Sequence, residues 1–150
     1  MKIWQLLILL MFYSSSFSQI RIADVGDGWK GKVEQALDTI KKYDIQKYYL
    51  VMENCTDVAY WNGGFSTTEG KSTITISTND MKNGNLYNIA AILVHESIHL
   101  YFKETNFNLS PNIEEVFAYQ HELEFLEKIP CVDPWLIENA KNKIKYYSKP

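Results

Sequence analysis

The chain is short of the residues from which many binding sites are built. It has two cysteines, Cys55 and Cys131, and three histidines. The cysteines stand too far apart for the closely spaced pairs of a cysteine-rich zinc knuckle. In an oxidising compartment they can bridge instead. Closing so long a loop would stabilise by roughly 4 kcal/mol on the chain-entropy account, and a Cys55–Cys131 disulfide is expected. Positive charge is scarce as well. Fifteen Lys and Arg against eighteen Asp and Glu leave a net charge of −3, which argues against the basic face that nucleic acid needs. The one lysine cluster, Lys141, Lys143, Lys145 and Lys149, reads as a solvated helix surface. Beyond residue 13 no apolar run is long enough to span a bilayer. Repeats and low-complexity stretches are absent, and 150 residues leave room for one domain.

What is present begins at the N-terminus. A short positive start, Met1-Lys2, leads into an apolar core over residues 3–13, and Ser16 and Ser18 stand at −3 and −1 before Gln19. This is the layout of a secretory signal, with cleavage expected after Ser18. The apolar core is too short to span a bilayer comfortably, and no cysteine stands at the cleavage point to carry a lipid. The expected organisation is a signal peptide over 1–18 and a single domain over 19–150, secreted to the periplasm or the medium, with no stable membrane insertion after cleavage. Losing 1–18 removes only Lys2 among charged side chains, so the mature chain is the more acidic by one charge.

Two of the three histidines stand in one run, His95-Glu96-Ser97-Ile98-His99. Apolar sequence flanks it on both sides, and Leu86, Ile89, Leu93 and Leu100 recur at helical spacings. The run is therefore expected inside a buried helix that starts near Asn85. At 3.6 residues per turn, His99 falls about 40° from His95 and Glu96 about 100°. Both imidazoles then point the same way and can grip one cation, while the Glu96 carboxylate can reach a water on it. Burying paired imidazoles and an acid without such a partner would be costly.

Two histidines do not complete a catalytic zinc site, which takes three protein ligands and one open position. A third histidine close behind the run is absent: Phe102 and Thr105 occupy the places where a glycine and a histidine would extend the motif. The next helix, expected over 112–128, offers Glu114, Glu115, His121 and Glu122. With Glu115 at zero, Leu126 falls at about 20°, Tyr119 at about 40° and Leu123 at about 80°. Glu115 thus faces an apolar side, where a carboxylate needs a cation or donors. It is the preferred third ligand, with Glu114 and His121 as alternatives. Glu122 shares its face and can either support a ligating histidine from behind or lie at the surface. Imidazole and carboxylate ligands suit zinc.

The remaining pattern sets the fold class. Residues 28–43 read as a helix ended by Asp44, 48–52 as a buried strand, 58–61 as a second strand, and 73–78, strictly alternating, as a third. The motif helix follows. Ser110-Pro111 opens the next helix, which Pro130 closes, and Asp133-Pro134 opens a last one in which Trp135, Leu136, Ala140 and Ile144 can pack. The expected class is α+β, with a short antiparallel sheet packed on the motif helix.

His95-Glu96-x-x-His99, followed one helix later by Glu115-x-x-Ala118-Tyr119, resembles the gluzincin metallopeptidases, particularly the small secreted bacterial ones. The resemblance covers roughly residues 86–129. It implies a zincin-like domain, a zinc ion held by His95, His99 and Glu115, Glu96 as general base, and hydrolysis of a protein or peptide substrate. It also implies a cleft strand on which extended substrate pairs, and 73–78 stands in the matching place. Many gluzincins carry an acid four positions after the ligand glutamate, where this chain has Tyr119. They also have a tyrosine or histidine from a further domain that steadies the oxyanion; Tyr60, Tyr87, Tyr101 and Tyr119 are the candidates here. The same residues admit two other readings: a non-catalytic partner-binding domain derived from a metallopeptidase, and a metal-dependent amidase acting on cell-wall material.

Overall fold

The computed structural model describes residues 19–149, so the expected signal peptide lies outside the described residues. In chain order the elements are β1 (Arg21–Ile22), α1 (Trp29–Tyr43), α2 (Ile45–Asn54), β2 (Asp57–Trp61), β3 (Thr67–Glu69), β4 (Thr73–Ser77), α3 (Thr78–Asn83), α4 (Leu86–Thr105), α5 (Pro111–Leu126) and α6 (Pro134–Tyr147). The class is α+β with one small sheet. Among the described residues, no helix is long and apolar enough to cross a membrane.

The strands are ordered β1-β2-β4-β3. Both β1 and β4 run parallel to β2, and only β3 is antiparallel, with Thr67 opposite Thr75 and Thr68 opposite Ile74. The expected antiparallel sheet is therefore corrected to a mixed one. Parallel neighbours need a long crossover, and α1 and α2 supply it between β1 and β2. A short connection joins β3 to β4, with Gly70 at φ 60, a left-handed conformation that glycine adopts freely. Three residues of Thr-Thr-Glu carry too little alternation to announce β3 in the sequence. Its position matters, because it forms one edge of the sheet.

Residues 48–52 are helix, not strand. The decision is made at Asp44. Its backbone N–H ends α1 on the Ile40 carbonyl at 2.8 Å, and its Oδ1 then caps α2 by accepting from the Lys47 N–H at 3.2 Å. From there Val51 and Cys55, one turn apart, are buried, with Tyr48 and Met52 packed beside them. The expected disulfide also fails. Cys55 is buried, Cys131 is exposed, and both are free. The Cys55 thiol points at the Asp57 carbonyl, 3.2 Å away, and burial pushes it up to about 11.

The rest of the molecule is built around α4. Apolar nearly all round, it is buried nearly all round, and it packs on α1, α2, β4 and α5. Its start is fixed by Asn85, whose side chain accepts from the Asn88 N–H at 2.9 Å. Asn106, at φ 52, ends it. Ser110 and Pro111 open α5 as expected, although α5 stops at Leu126. Helix α6 packs on α5 and buries Leu136 and Ala140. Trp135, expected to pack with them, is exposed.

Candidate metal centre

The packing of α4 on α5 turns His95 and His99 towards Glu115. The two Nε2 atoms lie 3.4 Å apart. Glu115 reaches both, with Oε2 at 3.5 Å from His95 Nε2 and Oε1 at 3.5 Å from His99 Nε2. Ligand atoms about 2.0–2.1 Å from a tetrahedral zinc ion stand about 3.4 Å from one another. The two Nε2 atoms stand at that separation, and each is about that far from one Glu115 oxygen. With a single carboxylate oxygen as the third donor, all three lie within 4.8 Å of one another.

Each imidazole is also held from behind. Glu122 Oε2 lies 3.0 Å from His95 Nδ1, and Glu114 Oε2 lies 3.5 Å from His99 Nδ1. An acid on Nδ1 fixes the tautomer that presents the Nε2 lone pair to a metal. Glu122 is buried two helical turns beyond Glu115, on the same face. Tyr119, where many gluzincins have their supporting acid, packs its ring edge-on against His95 at 4.4 Å. Glu122 supplies the acid instead. Of the alternative ligands, Glu114 takes this outer position, and His121 belongs to another cluster. His121 Nδ1 lies 2.7 Å from Lys47 Nζ, which also donates to Glu124 at 2.7 Å.

The side chains alone give the site an excess of negative charge: Glu96, Glu114, Glu115 and Glu122 surround two imidazoles. Burial opposes a charge on His95, but hydrogen bonds to Glu115 and Glu122 prevail and hold its pKa well above the ordinary value. Burial, then the charge on His95, push His99 down. The bond to His95 keeps Glu115 below the usual carboxylate range. A proton on His95 thus meets part of a demand for positive charge that a divalent cation would meet more fully. Two imidazoles and an acid form a donor set that fits zinc. Glu96 is buried one residue beyond His95, and burial is the main cause that lifts its carboxyl to about 7.

A cleft of about 300 Å³ opens on this centre. Glu96 and His99 line it from α4, Glu114 and Glu115 from α5, and Ser66 to Thr68 from β3 and the residue before it. The strand beside the cleft is therefore β3; β4, expected there, is enclosed between β2 and β3. A larger depression of about 480 Å³ lies against β1, α1 and α2 and holds none of these residues. Among the four candidate tyrosines, Tyr119 is the one in ring contact with a site imidazole among the described residues. Tyr60 packs on Trp29 at 5.2 Å, Tyr87 lies against the core, and Tyr101 is exposed.

Two residues near the centre escape the sequence reading. Tyr147 of α6 stacks on Tyr119 at 6.0 Å, and burial first, then the Glu115 charge, raise its pKa. Only the docking of α6 on α5 brings it there, so no local pattern could have announced it. Lys103 lines the cleft, and its spacing of one turn from His99 was a readable signal. Compared with models of protein families, with curated proteins and with solved structures, the chain matches none.

Proposed function

We propose that the chain is an exported zinc-dependent peptidase, zincin-like in architecture, with His95, His99 and Glu115 as ligands and Glu96 as general base. One observation carries the reading: the two Nε2 atoms lie 3.4 Å apart, and the Glu115 carboxylate reaches each of them at 3.5 Å through a different oxygen. Zinc bound there supplies Lewis acidity and brings the pKa of water towards neutrality. Glu96 orients the attacking water, takes its proton and returns it to the leaving amine. A carboxyl lifted to about 7 is matched to both directions of transfer. The peptide bond is favoured as substrate by β3. An edge strand leaves backbone N–H and C=O groups unpaired, and an extended chain laid along it gains main-chain hydrogen bonds.

Incubating the zinc-loaded protein with casein and with peptidoglycan, each with and without a chelator, tests the proposal. Chelator-sensitive release of peptides from casein is the expected result. Cleavage of peptidoglycan alone would move the reaction to a cell-wall amide. Hydrolysis of neither would leave a non-catalytic domain. The Glu96→Gln protein is expected to keep its zinc while hydrolysis falls by roughly a hundredfold to ten-thousandfold. Retained hydrolysis would overturn the base assignment.

A further inference from the structure

We infer that Lys103 selects substrates that carry a carboxylate close to the scissile bond, an inference that rests on the peptidase reading above. Lys103 is the one ammonium among the described residues that line the cleft. It stands four residues beyond His99 on α4, about 6 Å further along the axis at 1.5 Å per residue. Its Nζ donates to Thr68 Oγ1 on β3. No carboxylate forms an ion pair with it among the described residues; its charge acts on Glu96 only at longer range, a minor pull against the burial that raises that carboxyl. Glu114 faces His99 Nδ1, Glu115 faces both Nε2 atoms, and Glu96 is buried beside His95. An ammonium has three donors, so a bond to one neutral hydroxyl leaves Lys103 two for a ligand.

Its place fixes what it meets. Lys103 and Glu114 line both the cleft at the triad and a neighbouring depression of about 400 Å³ walled by Phe102 and Phe107. A chain that leaves the triad along β3 in this direction passes Lys103. Extended polypeptide advances about 3.3 Å per residue and sends alternate side chains the same way. About 6 Å is therefore about two residues. The group opposite Lys103 is the side chain, or the terminal carboxylate, about two residues from the bond that is cut. An anion there gains a charge-assisted hydrogen bond that an amide does not match. A cation there meets like charge.

Two pairs of peptides distinguish the sources of the carboxylate: Glu against Gln at that position inside a longer peptide, and a free against an amidated C-terminus. Each is cleaved by the zinc-loaded wild type, Lys103→Met and Lys103→Glu, with zinc content checked in all three. The wild type is expected to favour the carboxylate of one pair by roughly tenfold in kcat/KM, expressed in KM. Lys103→Met should bring that ratio close to one, and Lys103→Glu should invert it in favour of the uncharged member of the pair. The same order should appear in peptide affinity measured on Glu96→Gln protein, where no turnover intervenes. A carboxylate preference that is missing from the wild type, or unchanged in Lys103→Met, overturns the inference and leaves the peptidase reading intact. Failure of the zinc-loaded wild type to cleave any peptide overturns both.

Discussion

At His95 a proton and the proposed metal ion would compete for the same site. Glu115 and Glu122 hold the proton there, and in the proposed site the same two acids would serve the metal, one as ligand and one as support for the ring. Removing charge from Glu122 while keeping its shape should weaken the metal more than the fold. The Glu122→Gln protein is expected to bind zinc roughly 10- to 100-fold more weakly, measured by competition with a chromogenic chelator. Unchanged affinity would show that the contact at 3.0 Å is structural only. Much of this centre was legible in the sequence. The helical wheel sent Glu115 inward because Tyr119, Leu123 and Leu126 share its side, and it put Glu122 on the same face. It could not say that Glu114 stands behind His99, because that depends on how α4 and α5 cross.

At the scale of elements, α2 is joined to α5 by a small polar clamp. Lys47, largely buried, lies 2.7 Å from both His121 Nδ1 and Glu124 Oε2, and Asp44 pairs with Lys128 at 2.6 Å. The close approach of Lys47 makes His121 an acceptor, so the ring is neutral there. Burial first, then the Lys47 charge, hold the His121 pKa below its ordinary 6.5. Just below pH 6.5 the unfolded chain therefore binds a proton that the folded chain refuses. Stability from this group is complete above 6.5 and is lost as pH falls towards the depressed folded value. Zinc-loaded wild type should lose more thermal stability between about pH 7.5 and about pH 5.5 than His121→Gln does. Equal losses would contradict the clamp. The helix that carries Lys47 is also where the sequence misled. Tyr48-Tyr49-Leu50-Val51-Met52 is apolar and aromatic enough for a buried strand, and a run so short fits either period. Asp44, read only as the end of α1, is also the cap that starts α2. The two long helices α4 and α5 were legible because each holds its period for four turns or more.

Across the whole molecule, the centre ties together the two helices that hold the core. The proposed metal ligands come from α4 and α5, while α1, α2 and β4 pack on α4 and α6 packs on α5. An ion that binds this arrangement and not the unfolded chain stabilises all of it by mass action. At a thousandfold excess over Kd the gain is about 4 kcal/mol, and a rise in Tm of roughly 10 °C or more is expected, reversed by a chelator. A Tm indifferent to zinc would mean that the ion is not held between the helices.

The proposed chemistry depends on a metal held by His95, His99 and Glu115, and elemental analysis of the purified protein tests that most directly. After zinc loading and desalting, the wild type is expected to carry about one zinc ion per chain, and Glu115→Ala, with its helical circular dichroism intact, far less. A wild type that retains no zinc, or a Glu115→Ala protein that retains as much as the wild type, would contradict it.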